Sequence, residues 1–411
     1  MRSPGAVAVR QYEWVPGTRP IDINLGLSRD GARYERALLL VERGGVPWGL
    51  VEVPAPDGVV HGTLVEDAAN AKVRSGRWSS VDSLAGDARA TRLRVVIPTC
   101  NDAKRVVRAV ASVLRTPDAD LEVVVVENRP RGSTVEEVLW STFPDEPRLS
   151  YREEARPGLS RARNRGAEGA TDGLIGFIDD DTVAHPFWTS AMRAAAAGDG
   201  EIPVGVLAGR ILPLGLENEA QLFFHRFTGF GEQDLGSIYR LDRPPNNNRL
   251  FPYAPGTFGS GACLCLPAPA FAALGGFDCR LGTGTPARGG EDLDMFVRAL
   301  YAGFSVRYVP EAIIWHDHPD SLDELPAKVF GYGVGLAAMM TKHAVAGPDR
   351  IGFARRIPWG LRHLVDTHST KTSSRAAGRP WRFNVVEFLG LLVGPIGYAR
   401  STRQARVWSR Q

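Results

Sequence analysis

Three consecutive carboxylates, Asp179, Asp180 and Asp181, follow a short apolar run at residues 174–178. A short apolar run predicts a strand buried on both faces, so the carboxylates would lie where that strand leaves its sheet. Open α/β sheets bind ligands at that edge. Because adjacent like charges repel one another, a cation or hydrogen-bond donors must neutralise them, and oxygen ligands favour Mg²⁺ or Mn²⁺. A solvated acidic turn before Thr182 would account for the same residues.

A second pair of carboxylates, Glu291 and Asp292, follows two glycines at a predicted helix start. A carboxylate that a loop holds towards a cleft can take a proton from an attacking hydroxyl. The alternative is that both acids only favour the helix dipole. Further along the chain, His316 ends a predicted strand, where it could complete a metal shell, bind phosphate or have a structural part.

A basic stretch at residues 156–166 precedes the acidic strand. Gly158 loosens the loop, Ser160 can cap a helix, and Arg161 and Asn164 lie three residues apart on one helical face. The N-terminus of a helix that carries arginines predicts a diphosphate site. A solvated basic face is the alternative interpretation.

Two strand ends add weaker signals. Pro98 and Thr99 can present backbone groups to a flat base, and Glu127 could accept a hydrogen bond from a base or a ribose hydroxyl. Ordinary loops would explain each of these residues equally well, so they gain weight only from their position near the other groups.

Alternating strands and helices must position these residues. From Leu93 onward the pattern predicts an α/β fold with a mostly parallel sheet flanked by helices. The predicted strands are 93–99, 121–128, 149–152, 174–178, 305–309 and 312–315, and the predicted helices are 106–114, 133–140 and 158–169. Before them, residues 37–42 and 46–53 read as a hairpin across Gly44 and Gly45. We therefore expect a small β-rich N-terminal module and linker at 1–90, a catalytic domain at 91–345 and a basic, partly helical extension at 346–411.

Composition excludes several classes of protein. The net charge of +3 over 411 residues is too small to predict nucleic-acid binding, and four cysteines show no disulfide or zinc pattern. No signal peptide and no run of about 18 apolar residues is present, which predicts a cytoplasmic or peripheral protein. The apolar segment 383–399, flanked by Arg382 and Arg400, could lie in a membrane interface or pack on the domain.

The ordered motifs IPTCN, VEN, PGLSRARN, FIDDDT, GSGACLCL, GGFD, GGEDLD and WHDH resemble those of the family 2 glycosyltransferases, over roughly residues 93–343. These are inverting enzymes with the GT-A nucleotide-diphosphosugar transferase fold. The resemblance implies a nucleoside diphosphate sugar donor, with a UDP-sugar favoured, a hydroxyl acceptor and a Mg or Mn ion. It also implies a part in glycan biosynthesis, for example of a cell wall or polysaccharide. It implies no nucleic-acid partner.

The resemblance assigns roles to residues already singled out. Asp179 and Asp181 would be the outer acids of the DXD motif and hold the metal, which His316 would help to bind. Asp292 would be the general base, with Glu291 beside it. The implied donor-binding residues are Pro98, Thr99, Glu127, Arg161, Asn164, Asp179 and Asp180, and the implied acceptor-binding residues are Gly261, Arg288 and Gly290. The glycine-rich stretches 256–261 and 281–290 are expected to form mobile walls over the acceptor.

This chain departs from the family pattern at two places. Gly261-Ala262-Cys263 stands where many relatives have Gly-Ala-Asn, and Glu127 stands where aspartate is usual. Two rival enzymes lack their signatures: a nucleotidyltransferase needs a glycine-rich, lysine-containing loop after the first strand, and a dinucleotide-dependent oxidoreductase needs G-x-G-x-x-G. A non-catalytic sugar-nucleotide-binding or scaffold protein would have no need of a base at position 292. The sequence identifies neither the sugar nor the acceptor.

Overall fold

The structure is a computed structural model, and it describes residues 5–15, 18–75, 91–116, 120–130, 132, 134–198, 200, 202–229, 236–245, 248–365 and 381–408. Its strands are β1 (Val7–Glu13), β2 (Ile23–Asn24), β3 (Arg36–Arg43), β4 (Val46–Pro54), β5 (Val59–Val60), β6 (Leu93–Thr99), β7 (Leu121–Asn128), β8 (Leu149–Glu154), β9 (Leu174–Ile178), β10 (Thr182–Ala184), β11 (Val204–Pro213), β12 (Ser237–Tyr239), β13 (Cys263–Pro267) and β14 (Ser305–His316). Its helices are α1 (Gly62–Arg74), α2 (Ala103–Leu114), α3 (Thr134–Thr142), α4 (Leu159–Ala167), α5 (Trp188–Ala196), α6 (Glu219–Thr228), α7 (Ala268–Ala273), α8 (Glu291–Tyr301), α9 (Leu325–Ala346), α10 (Arg350–Val365) and α11 (Trp381–Trp408).

A nine-stranded sheet organises the described part of the chain. Its order is β10-β14-β11-β13-β9-β6-β7-β8, and β12 pairs with β14. The neighbours β9-β6-β7-β8 are all parallel, as the alternation of strands and helices predicts. The α/β prediction is therefore confirmed. In the other half β13 runs antiparallel between β9 and β11, so the sheet is mixed there.

Helices cover both faces of this sheet because its strands are apolar on both sides. Val95 and Val123 point into one core, with α2 and α5, while Val96 and Val124 point into the other, with α4 and α8. This alternation follows from the period of two along a strand. The predicted helix that begins at Ser133 is α3; Ser133 itself lies outside the described residues, and the helix begins at Thr134.

The strands predicted at 305–309 and 312–315 form one long strand, β14. Its register with β11 shifts between Gly209 and Arg210, opposite residues 309 to 313. Pro310 lies in the shifted stretch, and proline cannot donate to a ladder, which explains why sequence reasoning divided the strand there.

The N-terminal residues form their own sheet, in the order β1-β3-β4. The predicted hairpin is confirmed: β3 and β4 pair antiparallel across Gly44 and Gly45, which both have positive φ. This sheet packs on the large one, since Leu40 shares a cluster with Leu212 and Ile313. Much of the predicted linker, residues 76–90, lies outside the described residues.

The C-terminal helix α11 lies along α9 and runs in the same direction. Glycines of the two helices meet without side chains between them: a Cβ on Gly390 would lie 2.4 Å from the Phe330 carbonyl oxygen, and one on Gly394 would lie 2.4 Å from the Ala337 Cβ. The segment 383–399 thus packs on α9 through one of its faces. None of the described helices has both the length and the apolar character needed to cross a bilayer.

Candidate active site

The acidic triplet lies at the end of β9, as predicted. This strand is fully buried between β6 and β13, so its end is fixed from both sides. Asp179 is the first residue beyond it, and the backbone N–H and hydroxyl of Thr182 both donate to the Asp179 carbonyl. This turn holds the three carboxylates where the chain leaves the sheet.

One buried arginine, Arg163 on α4, joins the acidic strand to the start of α8. Its guanidinium donates to Asp179 Oδ1 at 2.9 Å, to Glu291 Oε1 at 3.0 Å and to the Gly261 carbonyl at 2.9 Å. Only 1% of Arg163 is exposed. Burial opposes its charge, but the carboxylates of Asp179, Glu291 and Asp292 raise the pKa of Arg163. The guanidinium therefore remains charged and holds two carboxylates from distant parts of the chain at one place.

Close backbone packing brings Arg163 to this position. A Cβ on Gly166 would lie 2.3 Å from Val96 Cγ1, so glycine lets α4 approach β6. Ala162, Arg163 and Gly166 lie on the buried face of α4, at the i, i+1 and i+4 positions of one helical stripe. Gly158, with φ of 137°, forms the N-cap of this helix.

The pair Glu291 and Asp292 opens α8, as predicted. Gly290 has φ of 85° at the N-cap, and a Cβ there would lie 2.4 Å from the Gly335 carbonyl of α9, so only glycine fits. Asp292 is half-buried; its Oδ2 accepts from the Gly261 N–H at 2.7 Å and its Oδ1 from the Leu293 N–H at 2.8 Å. Burial and the neighbouring Asp292 charge raise the pKa of Glu291 to about 7.

The middle carboxylate, Asp180, faces β6. Its Oδ2 accepts from the Thr99 hydroxyl at 2.6 Å. Burial raises the pKa of Asp180 to about 7, against the effect of the Thr99 hydrogen bond and with that of the adjacent Asp181 and Asp179 charges. Burial likewise raises the pKa of Asp179, with Asp181 adding to the effect and Arg163 opposing it.

Asp181 faces the end of β14. Its Oδ2 lies 3.5 Å from His316 Nε2, and its Oδ1 is buried without a hydrogen-bond partner. His316 Nδ1 lies 3.0 Å from His318 Nδ1. The described residues contain no group of three or more His, Cys, Asp or Glu arranged to hold a metal. The unpartnered Asp181 oxygen beside an imidazole nitrogen nevertheless fits a hard divalent ion, which takes oxygen ligands and tolerates histidine.

A tyrosine of α9, Tyr332, reports that these groups share one environment. Desolvation raises its pKa, and the charges of Asp181, Asp292 and Asp179 add to the effect. The hydrogen bonds of Arg163 to Asp179 and Glu291 place the acids at the end of β9 and the acids that open α8 on the same side of the domain.

The residues predicted for the nucleoside lie on neighbouring strands. Pro98 and Thr99 end β6, where they pair in register with Val126 and Glu127 of β7. Glu127 is buried, and its Oε2 accepts from the Tyr151 hydroxyl at 2.6 Å. Pro98, Thr99 and Glu127 thus lie together at one edge of the sheet.

Two residues predicted to bind the donor, Arg161 and Asn164, contact other parts of the chain in this structure. Asn164 donates to the Phe277 carbonyl and accepts from the Phe277 N–H, both at 2.8 Å, so its amide clamps the backbone of a neighbouring loop. The Arg161 guanidinium lies 4.7 Å from the centre of the Trp408 ring at the end of α11. Neither side chain hydrogen-bonds the carboxylates of the site, because both lie off the buried stripe of α4. Within α4 it is Arg163 that hydrogen-bonds the acids. Donor binding by Arg161 and Asn164 stays a prediction.

The predicted acceptor residues lie around Asp292. Gly261 contacts Asp292 directly, and a Cβ there would lie 3.0 Å from the Asp292 Cβ. Arg288 has φ of 60°, and its guanidinium lies 5.3 Å from the centre of the Phe330 ring. Gly290 packs against α9. The loop 281–290 that carries Arg288 and Gly290 is also joined to α4, since the Leu159 N–H donates to the Thr283 carbonyl.

Sequence reasoning missed Arg163 and Tyr332. A signal for Arg163 was available: Leu159, Ala162, Arg163 and Gly166 have the i, i+3, i+4, i+7 spacing of a buried face. An arginine on such a face requires carboxylate partners. No comparable signal marks Tyr332, because its position depends on how α9 packs.

Comparisons with known proteins identify similar sequences and folds. Residues 94–260 match the family model described as Glycosyl transferase family 2. The pre-mycofactocin glycosyltransferase of Mycobacterium tuberculosis is 26% identical over 306 residues, which cover 72% of this chain and 60% of the relative. The validoxylamine A glucosyltransferase of Streptomyces hygroscopicus subsp. jinggangensis is 34% identical over 110 residues, or 26% of each chain. The chain spans about 60% of the length of the first curated relatives it matches.

Two solved structures resemble the fold at 16% identity. The mannosyltransferase PcManGT from Pyrobaculum calidifontis, in complex with GDP-Man and Mn²⁺, has a TM-score of 0.46 and the match covers 78% of this chain and 88% of that one. GalNAc-T7 with UDP, GalNAc and Mn²⁺ has a TM-score of 0.43, with 66% and 55% covered. On these comparisons, residues 94–260 of this chain are similar to glycosyl transferase family 2, and the named relatives are glycosyltransferases.

Proposed function

We propose that this chain transfers a sugar from a nucleoside diphosphate sugar to an acceptor hydroxyl, with inversion at the anomeric carbon. The observation that carries the proposal is the guanidinium of Arg163, which binds Asp179 at 2.9 Å and Glu291 at 3.0 Å. It holds the acids at the end of β9 beside Asp292. A donor-side acid and a candidate base at one place are what a single displacement requires.

In this proposal Asp292 takes the proton from the acceptor hydroxyl. Two backbone N–H groups, those of Gly261 and Leu293, fix the orientation of its carboxylate, and each carboxylate oxygen keeps a second lone pair for the acceptor. A base held in one orientation loses little entropy when the acceptor binds. Gly261, Arg288 and Gly290 would line the acceptor side.

The donor would lie along the ends of β6, β7 and β9. Pro98, Thr99 and Glu127 would contact the nucleoside, Asp180 would face the ribose, and Asp179, Asp181 and His316 would hold a Mg or Mn ion. Such an ion supplies positive charge for the leaving diphosphate. The buried, unpartnered Asp181 Oδ1 supports this assignment, because a lone buried acceptor is costly unless something binds it.

The first experiment measures release of nucleoside diphosphate from a panel of donors, beginning with UDP-sugars, with Mn²⁺ or Mg²⁺ present. Two relatives are named after the compounds pre-mycofactocin and validoxylamine A, so such compounds join lipid-linked and polymeric glycans as acceptors. We expect release that depends on the acceptor, and a product of inverted configuration by NMR. Donor binding without acceptor-dependent release would instead favour a sugar-nucleotide-binding protein.

A variant pair tests the base. Asp292→Asn should lower turnover by about 10²–10⁴-fold, the usual contribution of a general base, while donor affinity is largely kept. Asp172→Asn, at an exposed acid in the loop before β9, is the matched control and should leave turnover unchanged. Full turnover by Asp292→Asn would remove Asp292 as the base.

A second pair of measurements tests the metal residues. Calorimetric titration with UDP and Mn²⁺ should show weaker binding by Asp181→Ala than by the native chain, and no change in Asp172→Asn. Equal binding by Asp181→Ala would remove Asp181 from the metal site, whatever the result for Asp292.

A further inference from the structure

Helix α11 has two faces of different character. Its inner face carries small residues that pack on protein: Gly390 and Gly394 contact α9, and a Cβ on Gly397 would lie 2.7 Å from the Pro286 carbonyl. The Ser401 hydroxyl accepts from the Ala287 N–H at 3.1 Å. This face is therefore fully used in holding the helix against the domain.

The outer face of α11 is apolar and exposed. We call it the outer stripe; it consists of Trp381, Val385, Phe388, Leu389, Leu392 and Ile396. The steps between these residues are 4, 3, 1, 3 and 4, which place them on one side of a helix with 3.6 residues per turn. Trp381 is 77% exposed, Phe388 55% and Leu392 58%. A row of large exposed apolar side chains of this kind marks an interaction surface.

The charged residues in the sequence of this C-terminal segment are almost all positive. Exposed Arg400 and Arg403 continue the same side of α11 in its last turns. Residues 350–411 contain twelve arginines and lysines, against two acids, Asp366 and Glu387. Glu387 lies off the outer stripe, on the side of α11 that faces α9. A Cβ on Gly333 of α9 would lie 2.3 Å from the Glu387 backbone carbonyl oxygen. The partner must therefore offer an apolar layer next to negative charge.

We propose that the outer stripe lies in the interface of a lipid bilayer that contains anionic phospholipids. A helix with one apolar face and flanking arginines binds there by burying its side chains at the level of the headgroups. The stripe spans 16 residues, about 24 Å, along the membrane plane. A second copy of this chain fits less well, because two C-terminal segments of strong positive charge would repel one another. The proposal does not depend on the proposed sugar transfer.

The test is co-sedimentation of the full chain with vesicles, one set of phosphatidylcholine alone and one an equimolar mixture with phosphatidylglycerol. We expect binding to the mixed vesicles, weakened by salt. The double variant Phe388→Ser/Leu392→Ser should bind the mixed vesicles at least about tenfold more weakly than the native chain, since two large apolar side chains no longer enter the bilayer. Arg400→Gln/Arg403→Gln should lose about tenfold on mixed vesicles only.

The matched control is Ile238→Ser, at an apolar residue of β12 that is 49% exposed and lies outside the stripe. It should bind vesicles like the native chain. All variants change exposed residues, so unchanged melting temperatures will show that they fold. Native chain that stays in the supernatant with both vesicle types would overturn the proposal. So would a dimer in sedimentation velocity that Phe388→Ser/Leu392→Ser dissociates without any change in vesicle binding.

Discussion

Replacing Arg163 by glutamine is the sharpest test of how this site is built. The substitution removes the partner of two carboxylates, Asp179 at 2.9 Å and Glu291 at 3.0 Å, in a place where only 1% of the arginine is exposed. Removing one member of a buried ion pair costs about 3–5 kcal/mol, because the remaining charges lose their compensation. We expect Arg163→Gln to lower the free energy of unfolding by that amount at pH 8.

The loss should depend on pH in a defined direction. With Arg163 present, the pKa of Glu291 is already raised to about 7, mainly by burial. Without the guanidinium the pKa of Glu291 rises further. Between this pKa and the ordinary value of 4.5, folding of the variant therefore takes up a proton at Glu291. The destabilisation is therefore full above the folded pKa and shrinks as the pH falls towards 5, where Glu291 is neutral.

Urea unfolding followed by circular dichroism at pH 8 and at pH 5 measures both effects. Arg165→Gln is the matched control: Arg165 lies two residues along α4, its side chain is 43% exposed, it pairs with Glu168 and it donates to the Glu153 carbonyl at 3.3 Å. Exposed pairs are worth about 0–1 kcal/mol, so the control should unfold almost like the native chain. If Arg163→Gln also loses less than about 1 kcal/mol at pH 8, Arg163 does not hold the site together.

Three further predictions concern other parts of the chain. Gly290→Ala should destabilise the fold by about 1–2 kcal/mol, because of its φ of 85° and the nearby Gly335 carbonyl; an unchanged urea midpoint would contradict this. Gly394→Val should loosen α11, seen as faster proteolysis after residue 381, since its Cβ would lie 2.4 Å from the Ala337 Cβ; equal cleavage rates would argue against the close packing. Burial lowers the pKa of His225 to about 4, so the native chain should lose stability as the pH falls below 6.5. His225→Phe should lose less, and parallel melting curves from pH 7 to 5 would refute this.

The acidic strand and the start of α8 were predictable because each is local. An apolar run that ends in Asp179 and two glycines before Glu291 fix their own geometry within a few residues. The strand order could not be predicted from the sequence, since the insertion of the antiparallel strand β13 between β9 and β11 depends on contacts between residues far apart in the chain. The parallel half could be derived because each of its strands is followed by a helix.

The same distinction between local and long-range contacts applies to the site residues. Asp292 and Asp181 lie where the motifs indicate, whereas Arg161 and Asn164, which their spacing of three residues places on one helical face, lie off the buried face of α4. Arg163 lies on the buried face of α4. It donates hydrogen bonds to Asp179 just beyond β9, to Glu291 of α8 and to the Gly261 carbonyl in the loop before β13. For α11, apolar residues occur on more than one side, so only the packing of its glycines shows which face is free.

The glycine contacts of α9 have a mechanical consequence. On one side Gly335 meets Gly289 and Gly290, directly before the acids of α8, and on the other Gly333 meets Gly390 of α11. At these glycine contacts backbone lies against backbone, so no side chain separates the elements there. A displacement of α11 should therefore be transmitted through α9 to Gly290 and to the start of α8, which carries Asp292.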